Sequence, residues 1–96
     1  MIDYKFVWDI DKNKLNQRKH DVSFEEARSV FFDEHAQEFY DEKHSDSEHR
    51  LLLLGLSFRL RLLIVCHCIR EKGNVIRIIS ARKATKNEQQ FYAGEK

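Results

Sequence analysis

The stretch from Asn74 to Tyr92 constrains this chain more than any other. Val75 to Ile79 is mostly β-branched, which favours an extended strand. Side chains alternate along a strand, so Val75, Arg77, Ile79 and Ala81 are expected on one face and Ile76, Ile78, Ser80 and Arg82 on the other. Thr85 followed three residues later by Glu88 is a capping box, in which each side chain satisfies the other residue's free backbone N–H, so a helix should start there. The stretch therefore reads as a buried strand that delivers Ser80, Arg82 and Lys83 to its exit, with a helix N-terminus close by. Hydroxyl, guanidinium, ammonium and a positive helix end together suit a phosphate.

A chain of 96 residues with 42% hydrophobic content makes one domain, spanning 1–96. Its seven Phe, three Tyr and one Trp are enough for a core. No apolar run approaches the ~20 residues needed to span a bilayer, and the start lacks the pattern of a signal peptide. Cys66 and Cys68 are too close for an unstrained bridge, and a lone pair of thiols fits a reducing cytoplasm. The net charge of +1 hides a division: Glu25 to Glu48 holds nine acids against two bases, and His49 to Asn87 nine bases against one acid. Either these charges solvate opposite faces, or the basic half meets an anionic partner and the acidic half a basic one.

Taken in order, Tyr4 to Trp8 alternates as a short strand with Tyr4, Phe6 and Trp8 on one face. Asp9 or Asp11 can cap a helix running to about Lys19. That helix has almost no apolar stripe and is expected at the edge of the core, held by Leu15. Ser23 with Glu26 forms a second capping box, and Phe24, Ala27, Val30 and Phe31 make the buried side of a helix reaching about Phe32. Residues 36–40 read as a short edge strand, and 41–48 as a polar loop. His35, His44 and His49 lie in or beside this acidic region, but their spacing matches no zinc pattern, and no metal or other cofactor is expected. Arg50 to Leu56 is a buried strand in which Gly55 marks a bulge or a close approach. Ser57-Phe-Arg-Leu60 turns into the longest strand, reaching Ile69, and Gly73 supplies the positive φ of a second hairpin. The result is an α+β arrangement: a twisted antiparallel sheet with two N-terminal helices packed on one face and a C-terminal helix.

Phe6-Val-Trp-Asp9, Asn16, Lys19-His20 and Val22-Ser-Phe-Glu-Glu-Ala27 resemble the first half of the BrnT toxin family. Gly55-Leu-Ser57, Ile76-Arg-Ile-Ile-Ser-Ala-Arg-Lys-Ala-Thr85, Glu88 and Tyr92 resemble its second half. The resemblance implies a RelE-like fold in the order β-α-α-β-β-β-α, with one extra edge strand allowed. It further implies an endoribonuclease toxin that stops translation. Its partner would be a BrnA-like antitoxin, a ribbon-helix-helix DNA-binding protein that neutralises the toxin and brings the complex to operator DNA.

Metal-free RNA cleavage needs a base for the ribose 2′-OH, cations for the crowded phosphorane, and an acid for the leaving 5′-oxygen. On that logic Lys19 and His20 are the first candidates for proton transfer, with His67 as another. Arg82 and Lys83 would grip the scissile phosphate and Ser80 would orient it. Arg50, Arg59 and Arg61 would extend a track along flanking phosphates, and Trp8 could stack on a base. Each has a plainer reading: Trp8 as core, Lys19-His20 as favourable cations at a helix C-terminus, His67 as a hydrogen-bonded core histidine, Arg77 as a partner of an internal acid. The competing function is a non-catalytic module whose basic sheet docks nucleic acid or an acidic protein segment.

Overall fold

The computed structural model describes residues 4–41, 49–70 and 73–92. Strand β1 (Lys5–Val7) leads into helix α1 (Ile10–His20), then α2 (Phe24–Ser29), which tightens into a 3-10 turn at Val30–Phe32. Strands β2 (Gln37–Tyr40), β3 (Leu51–Leu56), β4 (Leu62–Arg70) and β5 (Val75–Lys83) follow, and α3 (Lys86–Gln89) closes the series. The five strands form one sheet in the order β1-β5-β4-β3-β2. β2 through β5 are antiparallel neighbours, whereas β1 lies parallel to β5, so the sheet is mixed and not antiparallel throughout. A parallel neighbour needs a crossover, and the intervening chain supplies α1 and α2 for it.

The turns of the β3–β4 and β4–β5 hairpins fall where turn chemistry places them. Gly73 takes φ 89° between β4 and β5. Between β3 and β4 the left-handed position is filled by a leucine, Leu60, at φ 62°. Ser57 holds this turn: its N–H donates to the Arg61 carbonyl (2.9 Å) and its carbonyl accepts from Leu60 N–H (2.8 Å). Gly55 is a close approach, made by a side chain: a Cβ there would sit 2.7 Å from Cγ1 of Val30.

The faces of β5 differ from simple alternation. Cys66 pairs with Ser80 but His67 pairs with Ile78, so Ile79 is an extra residue, a β-bulge that shifts the alternation by one. Ile78 and Ala81 therefore enter the same core, with Val22, Phe24, Ala27, Val30, Leu53, Leu63 and Val65 beneath α2. A smaller cluster of Leu54, Ile64 and Ala84 lies on the opposite face, where Tyr92 packs on it. α1 and α2 contact β5, as expected of the N-terminal pair.

Helix α1 is held in an unexpected way. Leu15 is 49% exposed, and the buried residues of the helix are Asn13 and Asn16. Asp9 caps it, its Oδ1 accepting from Asp11 N–H (2.8 Å) and Lys12 N–H (3.1 Å). Asn13 Oδ1 accepts from the backbone N–H of Phe24 at 2.9 Å, which ties the start of α2 to the middle of α1. Polar contacts replace the missing apolar stripe.

Candidate active site

β1 covers β5 only from Val75 to Arg77, which leaves the rest of that edge needing hydrogen-bond partners. Asn16 supplies them. Its Oδ1 accepts from Ala81 N–H (3.1 Å), and its Nδ2 donates to the carbonyls of Ala81 (2.8 Å) and Val22 (2.8 Å). One side-chain amide thus stands in for a strand and brings α1 against the β5 edge. Between them lies a cleft of about 200 Å3, lined by Lys12, Leu15, Asn16, Lys19, His20, Ile79 and Ser80.

Helical spacing explains the cationic side of this cleft: positions 12, 15–16 and 19 recur about every turn on one face of α1. Arg18, Lys19 and His20 form its last turn, where positive charge meets the negative end of the helix dipole. Asp21 then ends the helix in the left-handed conformation at φ 60°, its N–H donating to the Gln17 carbonyl. The bulge at Ile79 places Ile79 and Ser80 on the other wall. Lys19, His20 and Ser80, expected to act together, therefore line one cleft, and Lys12 joins them without having been singled out beforehand.

Arg82 and Lys83 do not converge there. Both branches of the Arg82 guanidinium donate to Glu88, at 2.8 Å to Oε1 and 2.8 Å to Oε2. The same carboxylate closes the Thr85 capping box, accepting from Thr85 N–H at 2.8 Å. The Arg82 bonds and those of Thr85 hold Glu88 down to about 2, well below the ordinary carboxylate value, against the opposing effect of burial. Lys83 sits 3.9 Å from Asp21 Oδ2, toward α1. α3 is a single turn of four residues whose capping box is closed by Glu88, the carboxylate that also holds Arg82, so the expected meeting of Arg82 with a phosphate at its N-terminus gives way to an internal ion pair.

A second polar cluster was not foreseen. Glu26 is 1% exposed, although its position suggested only a helix cap. Ser23 Oγ does accept from Glu26 N–H (3.0 Å), but the Glu26 carboxylate turns inward to other donors. Oε2 accepts from Ser57 Oγ (2.7 Å) and Arg61 Nε (2.9 Å), while Oε1 accepts from Arg61 Nη2 and lies 3.9 Å from Arg59 Nη1. Burial alone would raise its proton affinity; the bonds from Arg61 and Ser57 outweigh that and hold the carboxyl below its ordinary value. Arg61 Nη2 also donates to the Asp21 carbonyl at 2.9 Å, so this arginine is an internal brace and not part of a phosphate track. A signal existed: Glu26 stands four residues before Val30, at the margin of the apolar arc of its helix.

The remaining candidates divide. Arg59 is exposed at the β3–β4 turn, and Arg50 lies just before β3, at the opposite end of the hairpin from Arg61. His67 is 1% exposed beneath the 3-10 turn, its Nδ1 3.2 Å from the Val65 carbonyl and its ring edge-on to Phe31 at 4.8 Å. Burial lowers its proton affinity. Glu38 Oε2 lies 3.8 Å from Nε2, and the ring does not reach the cleft on α1. Trp8 packs edge-on to Phe24 at 6.1 Å and joins the main core. Arg77 faces Cys68 across the β5–β4 ladder. Cys66 and Cys68 are buried and form no disulfide, and burial raises the Cys66 thiol above its ordinary value. His35 and His49 are exposed, while His44 and the 42–48 loop fall outside the described residues. Among the described residues no group of three or more His, Cys, Asp or Glu could hold a metal ion, and no helix is long and apolar enough to cross a membrane.

Comparison with known proteins accords with this architecture. The fold is similar to that of the ribonuclease toxin BrnT of Brucella abortus, with a TM-score of 0.67, 24% identity, and coverage of 86% of this chain and 99% of that one. No curated protein matches. The family model described as the ribonuclease toxin, BrnT, of type II toxin–antitoxin systems matches residues 8–88. From the end of β1 through the capping box of α3, then, the chain belongs to the BrnT family of ribonuclease toxins.

Proposed function

We propose that this protein is a metal-independent endoribonuclease that cuts RNA in the cleft between α1 and β5. The observation that carries the reading is the meeting of Lys12, Lys19, His20 and Ser80 on the walls of one cleft. A base there takes the proton of the ribose 2′-OH, whose oxygen attacks phosphorus. The P–O5′ bond breaks as an acid protonates the leaving oxygen, giving a 2′,3′-cyclic phosphate and a 5′-hydroxyl. Lys19 and His20 are assigned to these proton transfers, imidazole being suited to both directions near neutral pH. Lys12 and Ser80 are assigned to the phosphate oxygens, where an ammonium charge and a hydroxyl donor oppose the growing negative charge. Arg82 is assigned to the support of α3, because its fork is filled by Glu88.

The fold is read as RelE-like and the protein as acting in the cytoplasm, where cutting RNA stops translation. A type II family implies a cognate antitoxin. A ribbon-helix-helix protein that lays an acidic or amphipathic segment over the cleft cations would neutralise the enzyme and carry it to operator DNA.

Purified protein incubated with RNA tests the reading, with cleavage followed against pH. Lys19→Ala and His20→Ala should each slow cutting by roughly 10²- to 10⁴-fold, the usual contribution of a positioned acid or base, and the His20 variant should lose one limb of the pH profile. An unchanged profile clears His20 of proton transfer. Loss of cutting in folded Arg82→Ala, with the cleft variants active, moves the site to the β5 exit. Salt-dependent RNA binding without any cleavage favours the docking module.

A further inference from the structure

Beside the last turn of α1, next to the Glu26 cluster, is a polar pocket of about 190 Å3 lined by Gln17, Asp21, Ser23, Glu26, Phe58 and Arg59. We infer that this pocket binds one nucleobase of the RNA, a guanine, and sets the base preference of the cut. This assignment rests on the reading of the neighbouring α1–β5 cleft as the cutting site.

The first observation is an exposed aromatic ring carried on a braced turn. Phe58 is 67% exposed, yet its turn is not free to fold it away. Phe58 N–H donates to Ser29 Oγ (3.0 Å), Ser29 Oγ donates to the Glu26 carbonyl (2.6 Å), and Ser57 Oγ donates to the buried Glu26 carboxylate (2.7 Å). Leu60 stands in the left-handed region to close the same turn. An exposed ring on a braced turn beside a pocket is a platform for stacking a base, which is how single-stranded RNA is held.

The second observation is the pattern of hydrogen-bonding groups. Gln17 spends its amide nitrogen on Asn13, at 3.4 Å to the carbonyl and 3.2 Å to Oδ1, which leaves its own carbonyl oxygen as an acceptor. The Asp21 side chain is largely exposed, with Oδ2 3.5 Å from Arg61 Nη1 and 3.9 Å from Lys83 Nζ. Arg59, which lines the same pocket, adds donors. Glu26 is saturated and serves to fix the floor. Two acceptors with one cationic donor match the Watson–Crick edge of guanine, whose N1–H and N2–H2 are adjacent donors beside the O6 acceptor. Adenine, cytosine and uracil each present one donor group on that edge. The place also fits: Asp21 directly follows His20, so a nucleotide adjacent to the one being cut reaches the pocket around the end of α1.

The test uses the full chain and the four nucleoside 5′-monophosphates, titrated by calorimetry or NMR, together with mapping of cut sites on a mixed-sequence RNA. Guanosine monophosphate should bind roughly tenfold tighter than the others, the scale of one good bidentate base contact. Asp21→Asn keeps a residue that tolerates the left-handed backbone but replaces one acceptor by a donor, so it should erase that preference and let cuts spread to other bases. Phe58→Ala should weaken all four nucleotides by a similar factor, roughly tenfold, through lost stacking. Equal affinities in the wild type, or a guanine preference untouched in folded Asp21→Asn, overturns the pocket. Cutting with no base preference removes the pocket and leaves the nuclease reading. Selective guanine binding without cutting does the reverse.

Discussion

Glu26 and Asn16 are buried polar residues, and each does the work that an apolar side chain would do elsewhere. Glu26 joins three pieces of chain through Ser57, Arg61 and, by way of Arg61, the Asp21 carbonyl. Removing one member of such a pair strands the other charge in a low-dielectric site. Glu26→Ala should therefore cost about 3–5 kcal/mol in denaturant unfolding. A loss below about 1 kcal/mol would mean that Arg61 finds water instead. At this scale the sequence was a poor guide. Ser23 and Glu26 have the spacing of a reciprocal cap, and the nearness of Ser57 and Arg61, the latter thirty-five positions away, diverts the carboxylate.

Among the elements, α1 and β5 determine the candidate site, and their joint is the Asn16 amide. Asn16→Ala should leave the Ala81 N–H and two carbonyls buried without partners, for a loss of about 3 kcal/mol or more at about 1–3 kcal/mol per stranded group. Asn16→Asp, nearly the same shape, should be as harmful because it sets a carboxylate against those carbonyls. Hydrogen exchange at the Ala81 amide is the local readout: its protection should collapse in both variants, whereas retained protection would show another group closing the edge. The start of α1 was legible from Asp9, and that of α3 from Thr85 and Glu88, because a cap is a local interaction. The Ile79 bulge was not legible. A bulge depends on the partner strand, and nothing within Val75–Lys83 says which residue β4 will skip.

For the whole molecule, acid is the informative perturbation. Glu26, Asp33 and Glu88 all have carboxyls held below their ordinary values. Asp33 Oδ2 accepts from Tyr92 O–H (2.5 Å) and Leu56 N–H (2.7 Å), linking the C-terminal segment to β3. A carboxyl depressed in the folded state binds its proton more readily when unfolded, so its stabilisation is complete above about 4.5 for Glu88. It is lost as pH falls toward the folded value of about 2. Stability should thus begin to fall below about pH 6.5, where unfolded His67 takes up a proton that its buried site resists. It should fall further below about pH 4.5, with Glu88→Gln less stable at pH 7 and flatter through the lower part of that range. An identical acid profile in that variant would remove Glu88 from the linkage.

The sequence by itself determined the α+β class, the turns and the family, since periodicity, caps and motif residues act over a few positions or are carried in the chain. It also named Lys19, His20 and Ser80. Tertiary structure alone decided that these three share a cleft while Arg82 turns to Glu88, and that Glu26 and Asn16 lie inside. The reason is physical: a side chain's hydrogen-bond partner is set by which groups compete for it in space, and a string of residues does not specify distances between its distant parts.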